Sequence, residues 1–169
     1  QRLPWLLITL MGGLGISEII RRFNGVLSKD LVLAGFIPIV MGMEGNVGIQ
    51  SATLTVRNLA TGRMEGNALR SVLGEILTGL YMGLVFSILV GGYSYFRYQN
   101  IQVSIAVGTA IIAGMTTAAL VGSAVPLTMK KMNVDPAIAT GPFVTTAMDG
   151  VGLTIYLGIA SLLLYGAHS

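Results

Sequence analysis

From Ile76 to Met129 the sequence carries a single charged residue, Arg97. A helix crosses the hydrocarbon of a bilayer with about 20 mostly apolar residues. The stretch therefore holds two crossings, Ile76–Phe96 and Tyr98–Met129, folded back on each other at Arg97–Ile101 (RYQNI). Three further segments have the same character: Leu3–Ser17 has no charge, Leu31–Val56 has only Glu44, and Pro136–Ala167 has only Asp149. The pattern predicts an all-α membrane protein with five transmembrane helices, residues 1–169 forming one membrane domain.

Composition agrees and closes off other classes. Of 169 residues, 53% are hydrophobic and 10% charged, against about 25% charge in ordinary soluble domains. Mean hydropathy is +0.78. That excludes a soluble domain, a disordered tail and a fibrous repeat. The 23 glycines suit a bundle whose helices approach closely in lipid. Cysteine is absent and the one histidine, His168, is a tail residue, which removes thiol chemistry and imidazole metal sites. The net charge of +3 suits anionic headgroups, and no basic stripe with interleaved aromatics points to nucleic acid. The chain starts at Gln1 and turns apolar at Leu3, which reads as a piece of something longer rather than a signal peptide.

The segments are separated by legible breaks. Glu18–Asp30 (EIIRRFNGVLSKD) is a charged connection suited to the membrane interface, and Ala60–Arg70 (ATGRMEGNALR) is polar and punctuated by glycine. Lys130–Asp135 (KKMNVD) ends in Asp135-Pro136, a capping residue followed by proline at the first helical position. Pro4 and Trp5 stand at the start of the first segment as helix starter and interfacial anchor. With the N-terminus inside, six basic residues (Arg2, Arg57, Arg63, Arg70, Lys130, Lys131) face the cytoplasm and four (Arg21, Arg22, Lys29, Arg97) the outside. The bias favours N-terminus in and C-terminus out.

Two segments break the rules of a plain spanning helix. The second contains Pro38, which removes a backbone hydrogen bond, and Gly42, Gly45 and Gly48, which loosen the helix around it. Irregular backbone at membrane depth belongs where it lines protein or water. Ala34, Pro38, Gly42 and Asn46 recur every four residues and share a small, amide-ended face. In the fifth segment Gly141, Thr145 and Asp149 also fall four apart, and Pro142 leaves the Ile138 carbonyl without a donor. Asp149 lies near mid-span, where an isolated carboxylate costs about 2.5–3.5 kcal/mol on insertion scales. A bundle accepts that when the group meets a cation, a partner or water. Glu44 has three places open to it: near Asp149's depth, facing the groove, or paired with a base at a helix end. Glu18 and Glu75 sit at segment ends, where arginines can pair with them, Arg57 snorkels to the surface, and the nine methionines are packing residues.

The chemistry left is limited. Intramembrane serine proteolysis needs a Ser–His pair and aspartyl proteolysis two deep Asp, so enzymes are excluded. Carboxylate, amide, hydroxyl and carbonyl are hard oxygen donors, suited to Mg²⁺, Ca²⁺ or Mn²⁺. A proton-coupled divalent cation transporter, with Asp149 as the titrating group, is the alternative to a channel.

The run Pro38-Ile-Val-Met-Gly42-Met-Glu-Gly45-Asn46-Val-Gly48-Ile-Gln50-Ser51-Ala-Thr with Val56-Arg57, and the run Asp135-Pro136, Gly141-Pro142-Phe143-Val144-Thr145-Thr146 and Asp149, resemble the second- and fifth-helix signatures of the MgtE family of magnesium channels and transporters. The resemblance implies the pore domain of a homodimeric, Mg²⁺-selective channel, with its pore on the two-fold axis between these two helices of each subunit. It implies Asp149 as the carboxylate that captures hydrated Mg²⁺, and Gly42, Asn46, Gly141 and Thr145 as pore-lining positions. It also implies cytoplasmic N-terminal and CBS domains outside this chain. Glu44 departs from the pattern, standing where the family commonly has a small residue, and adds a candidate ion site that leaves selectivity among divalent ions open. Gly141 can be asparagine in relatives. Symmetry would turn Asp149 into a facing pair whose repulsion a divalent cation relieves. Because Mg²⁺ gives up its waters reluctantly, the ion is expected to meet Asp149 largely through water.

Overall fold

Helices joined by short connections account for most of the described residues. The computed structural model describes residues 3–64 and 67–166, without the side chains of residues 4, 5, 139, 140, 142 and 143. Pro4 and Trp5 as anchors, Arg2 and His168 therefore lie outside the described side chains. The helices are α1 (Leu3–Arg22), α2 (Asn24–Lys29), α3 (Val32–Ala60), α4 (Ala68–Tyr98), α5 (Ile101–Lys131) and α6 (Pro142–Tyr165), with a 3₁₀ turn at Pro136–Thr140. Among the described residues four helices are long and apolar enough to cross a membrane: Val32–Ala60, Ala68–Tyr98, Ile101–Lys131 and Val144–Tyr165. With these, the chain is a multi-pass membrane protein. The first predicted segment corresponds to α1, 20 residues long.

α5 is the hub, packing on α4, α3 and α6, while α1 packs on α6. Its buried face is largely alanine, glycine and serine, which brings neighbouring backbones close, as bundles in lipid require. On α4 the positions facing it are Gly79, Gly83, Ser87 and Gly91, one turn apart; a Cβ at Gly79 would lie 2.8 Å from the Met115 carbonyl oxygen, and one at Gly83 would lie 2.9 Å from the Ile112 Cα. The turn between the two helices is as tight as the sequence predicted. Gln99 ends α4 in the left-handed conformation (φ 54°) and the Asn100 side chain caps α5, accepting from the Gln102 and Val103 amides. Large apolar side chains cover the outer face of α4, from Leu73 to Phe96, the latter 80% exposed. On a soluble protein such a surface would aggregate; here it faces lipid or another subunit.

Three expectations needed correction. The first helix does not stop at Ser17 but continues to Arg22, because Glu18 satisfies Arg21 at 2.7 Å and Arg22 at 3.4 Å from within the helix. Among the described residues Glu75 pairs with no arginine; it accepts a hydrogen bond from Ser51 of α3 at 2.8 Å. The fifth segment is not one helix. Asp135 caps the Ala137 amide at 2.9 Å as predicted, but the turn it starts ends at Gly141, whose backbone is extended (φ −109°, ψ −156°), and α6 begins afresh at Pro142. A residue before proline is pushed out of the helical region by the ring, and proline at the first helical position forfeits no intrahelical bond. The missing donor expected at Ile138 is thus no defect inside a helix.

The start of α3 is tied to α6 by one buried bond: the Tyr156 hydroxyl donates to the Leu33 carbonyl at 2.8 Å. Tyr156→Phe leaves the ring in place and removes this bond, so it should lower stability by about 1 kcal/mol, read as a lower melting temperature in detergent.

Candidate functional site

Gly45 of α3 opens the site. With no side chain there, α6 lies against the α3 backbone, and a Cβ at that position would sit 3.7 Å from the Asp149 Oδ1 and 3.9 Å from the Thr145 Cγ2. Asp149 and Thr145, four residues apart on one face of α6, are therefore held together at the α3–α6 seam, both half-buried. One turn along, Gly48 receives Met148 and Val144, which fixes the register between the helices.

Beside this seam the α3 face bearing Pro38, Gly42, Asn46 and Gln50 is exposed, and nothing lies within 4 Å of where a Gly42 Cβ would be. The predicted small, amide-ended stripe is thus an open face of the single subunit. Its amides point to a second feature. Asn46 and Gln50 line a cavity of about 240 Å³ together with Met43, Val47, Met82, Phe86 and Met115. Asn46 accordingly borders α4 as well as the open face, whereas Asp149 and Thr145 meet α3 at Gly45. Gly141 lies outside α6, so it shares a helix face with neither Thr145 nor Asp149. Thr146 turns the other way, toward Gly12 of α1.

Glu44 takes the position that sequence reasoning left least determined. It is 1% exposed and lies inside the subunit, its carboxylate seated against Gly114 of α5 and Gly152 of α6. It neither faces the groove nor pairs with a base: among the described residues neither of its oxygens has a hydrogen-bond partner.

Sequence reasoning missed two participants. In the sequence Gly45 reads only as loosening α3, and nothing in the run of glycines singles it out as the one beneath Asp149. Gly152, three residues after Asp149, gave no sign that it accommodates Glu44. The α3–α6 seam offers a carboxylate and a hydroxyl, hard oxygen donors suited to a hydrated divalent cation, while the Asn46 and Gln50 amides lie on the adjoining face toward α4. Among the described residues no group of three or more His, Cys, Asp or Glu side chains forms a closed metal cage.

Comparison with known proteins gives concordant matches. The family model for MgtE, described as a divalent cation transporter, matches residues 37–159. Magnesium transporter MgtE of Enterococcus faecalis is 37% identical over 167 residues, covering 96% of this chain and 36% of that protein. The proteins of the same name from Bacillus subtilis (34% identical; 98% of this chain, 37% of that protein) and Thermus thermophilus (38%; 96% and 36%) match similarly. The chain thus spans little more than a third of the length of these relatives, all named as transporters rather than enzymes.

Proposed function

Since the chain belongs to the MgtE family of divalent cation transporters, we propose that it is a pore domain conducting hydrated Mg²⁺ across the membrane. Two copies form a homodimer, each contributing five spans, α1 included, and the pore runs along the two-fold axis between α3 and α6 of each subunit. Asp149 captures the ion. Gly42, Asn46, Gly141 and Thr145 line the path, with Asn46 and Thr145 holding the ion's water shell. The N-terminus is cytoplasmic and the C-terminus external.

The observation that carries this reading is the Asp149 carboxylate held half-buried at Gly45, beside an α3 face that the single subunit leaves exposed. A carboxylate at membrane depth is tolerated when it faces a partner, an ion or water. The open face gives it access to all three. A second copy of the chain covers that face and brings a second Asp149 opposite the first. Two facing carboxylates repel, and a divalent cation between them cancels the repulsion. Mg²⁺ retains its waters, so a site built of one carboxylate per subunit, amides and hydroxyls suits it better than a dehydrating cage; Ca²⁺, with a larger and looser shell, fits less well. Holding the ion through water also keeps binding weak enough for release.

The purified protein in liposomes, loaded with a Mg²⁺-sensitive dye, tests the reading. Influx should follow the Mg²⁺ gradient and the imposed voltage and be indifferent to a pH gradient. Flux that instead follows an imposed pH gradient at equal Mg²⁺ would replace the channel with a proton-coupled transporter, and absence of Mg²⁺ flux would reject both.

A further inference from the structure

Glu44 is a costly residue that α3 packing does not require. Its carboxylate fits the junction of α3, α5 and α6 only because two separate helices present glycine there: a Cβ on Gly114 or on Gly152 would overlap it. Burying a carboxylate without a partner is unfavourable, yet both Glu44 oxygens lack a hydrogen-bond donor among the described residues. The ion pairs found among those residues join Glu18 to Arg21 and Arg22, at the end of α1. The basic residues of the three helices around Glu44 are Arg57 on α3 and Lys130 and Lys131 on α5, all in last turns, and α6 has none in its own. Among the described residues no cation balances this group.

Its position relative to Asp149 supplies the missing partner. Glu44 precedes Gly45, the residue on which Asp149 rests, and its own carboxylate touches Gly152, one turn beyond Asp149 on α6. Both acids thus meet the α3–α6 seam within about one turn of each other, Asp149 over Gly45 and the Glu44 carboxylate at Gly152. We propose that Glu44 is a second anionic group of the cation site, acting from inside the subunit on the ion held at Asp149 and favouring divalent over monovalent ions. The proposal rests on Asp149 being the ion-capturing group. A divalent ion at Asp149 supplies the opposite charge that favours ionised Glu44, and it gains twice the attraction a monovalent ion would, in a low-dielectric seam that screens the field little. Because Glu44 stays inside the subunit, it strengthens the field without stripping the ion's water, which suits Mg²⁺. Glu44 is on this account a positioning residue, not a ligand.

Glu44→Gln keeps the shape and removes the charge; Glu44→Gly removes the side chain and leaves no buried amide, so it carries the test should the Gln variant fail to fold. Mg²⁺ influx into liposomes is measured against Mg²⁺ concentration and against competing Na⁺, beside Asp149→Ala, with melting temperature followed in detergent. The expected result is a rise of about fivefold or more in half-saturating Mg²⁺, as loss of a nearby charge implies, together with a lower Mg²⁺ over Na⁺ preference and no fall in melting temperature for the Gln variant. Wild-type half-saturation and ion preference in a folded Glu44 variant, while Asp149→Ala loses flux, would overturn the role of Glu44 and leave the pore reading standing. Full flux in Asp149→Ala would overturn both.

Discussion

Asp149→Ala is expected to lower Mg²⁺ flux in liposomes by about a hundredfold or more, the scale of removing one member of a desolvated charge interaction. In the proposed dimer its two-fold mate disappears with it, so the axis would lose both charges at once and the hydrated ion would meet only amides, hydroxyls and water. The fold should survive. Asp149 is half-buried and the α3 position beneath it is Gly45, so among the described residues truncation strands no polar partner, and it relieves the protein of a carboxylate that lipid disfavours. Melting temperature should therefore stay level or rise while transport is lost. Flux equal to wild type in a folded variant would remove Asp149 from the permeation path.

Gly122→Val should have the largest effect on folding. Gly122 of α5 lies directly on Gly48 of α3: a Cβ there would overlap the Gly48 carbonyl oxygen and come within 3.0 Å of the Gly48 Cα. Both sides of this contact are backbone, so no side chain can swing away to make room. The valine has to push α3 off α5, and with it the seam that holds Glu44. A loss of about 3 kcal/mol is expected, seen as a large drop in melting temperature and a broadened elution profile in detergent. Gly74→Ala is the matching control. Nothing lies within 4 Å of a Cβ at Gly74, so the helix gains up to about 1 kcal/mol from the better helix former. If both variants melt alike, the close approach of α3 and α5 does not limit stability.

Desolvation made much of this architecture readable without coordinates. Charged side chains cannot sit in hydrocarbon unaided, so the gaps between Arg57, Arg70, Arg97 and Lys130 mark where α4 and α5 begin and end to within a few residues. The Asp135 cap was legible for a local reason, since a capping side chain bonds an amide two residues away. The break at Gly141 could have been found from the rule that proline extends the residue before it, but the rule alone is not decisive. Pro38 and Pro126 lie inside intact helices.

The sequence by itself determined that this is a helical membrane protein, where its long helices run, and that Asp149 is an acid at membrane depth. Periodicity and transfer energies are local quantities, and each is set by a few consecutive residues. Only the tertiary structure decided which neighbour each side chain meets. Two residues along α3 turn the side chain by about 200°, enough to put Glu44 inside the subunit against Gly114 and Gly152 while Asn46 opens outward. Gly45 under Asp149, Gly48 under Gly122 and Ser51 on Glu75 are likewise products of how helices distant in sequence set their register, through contacts that no single segment encodes.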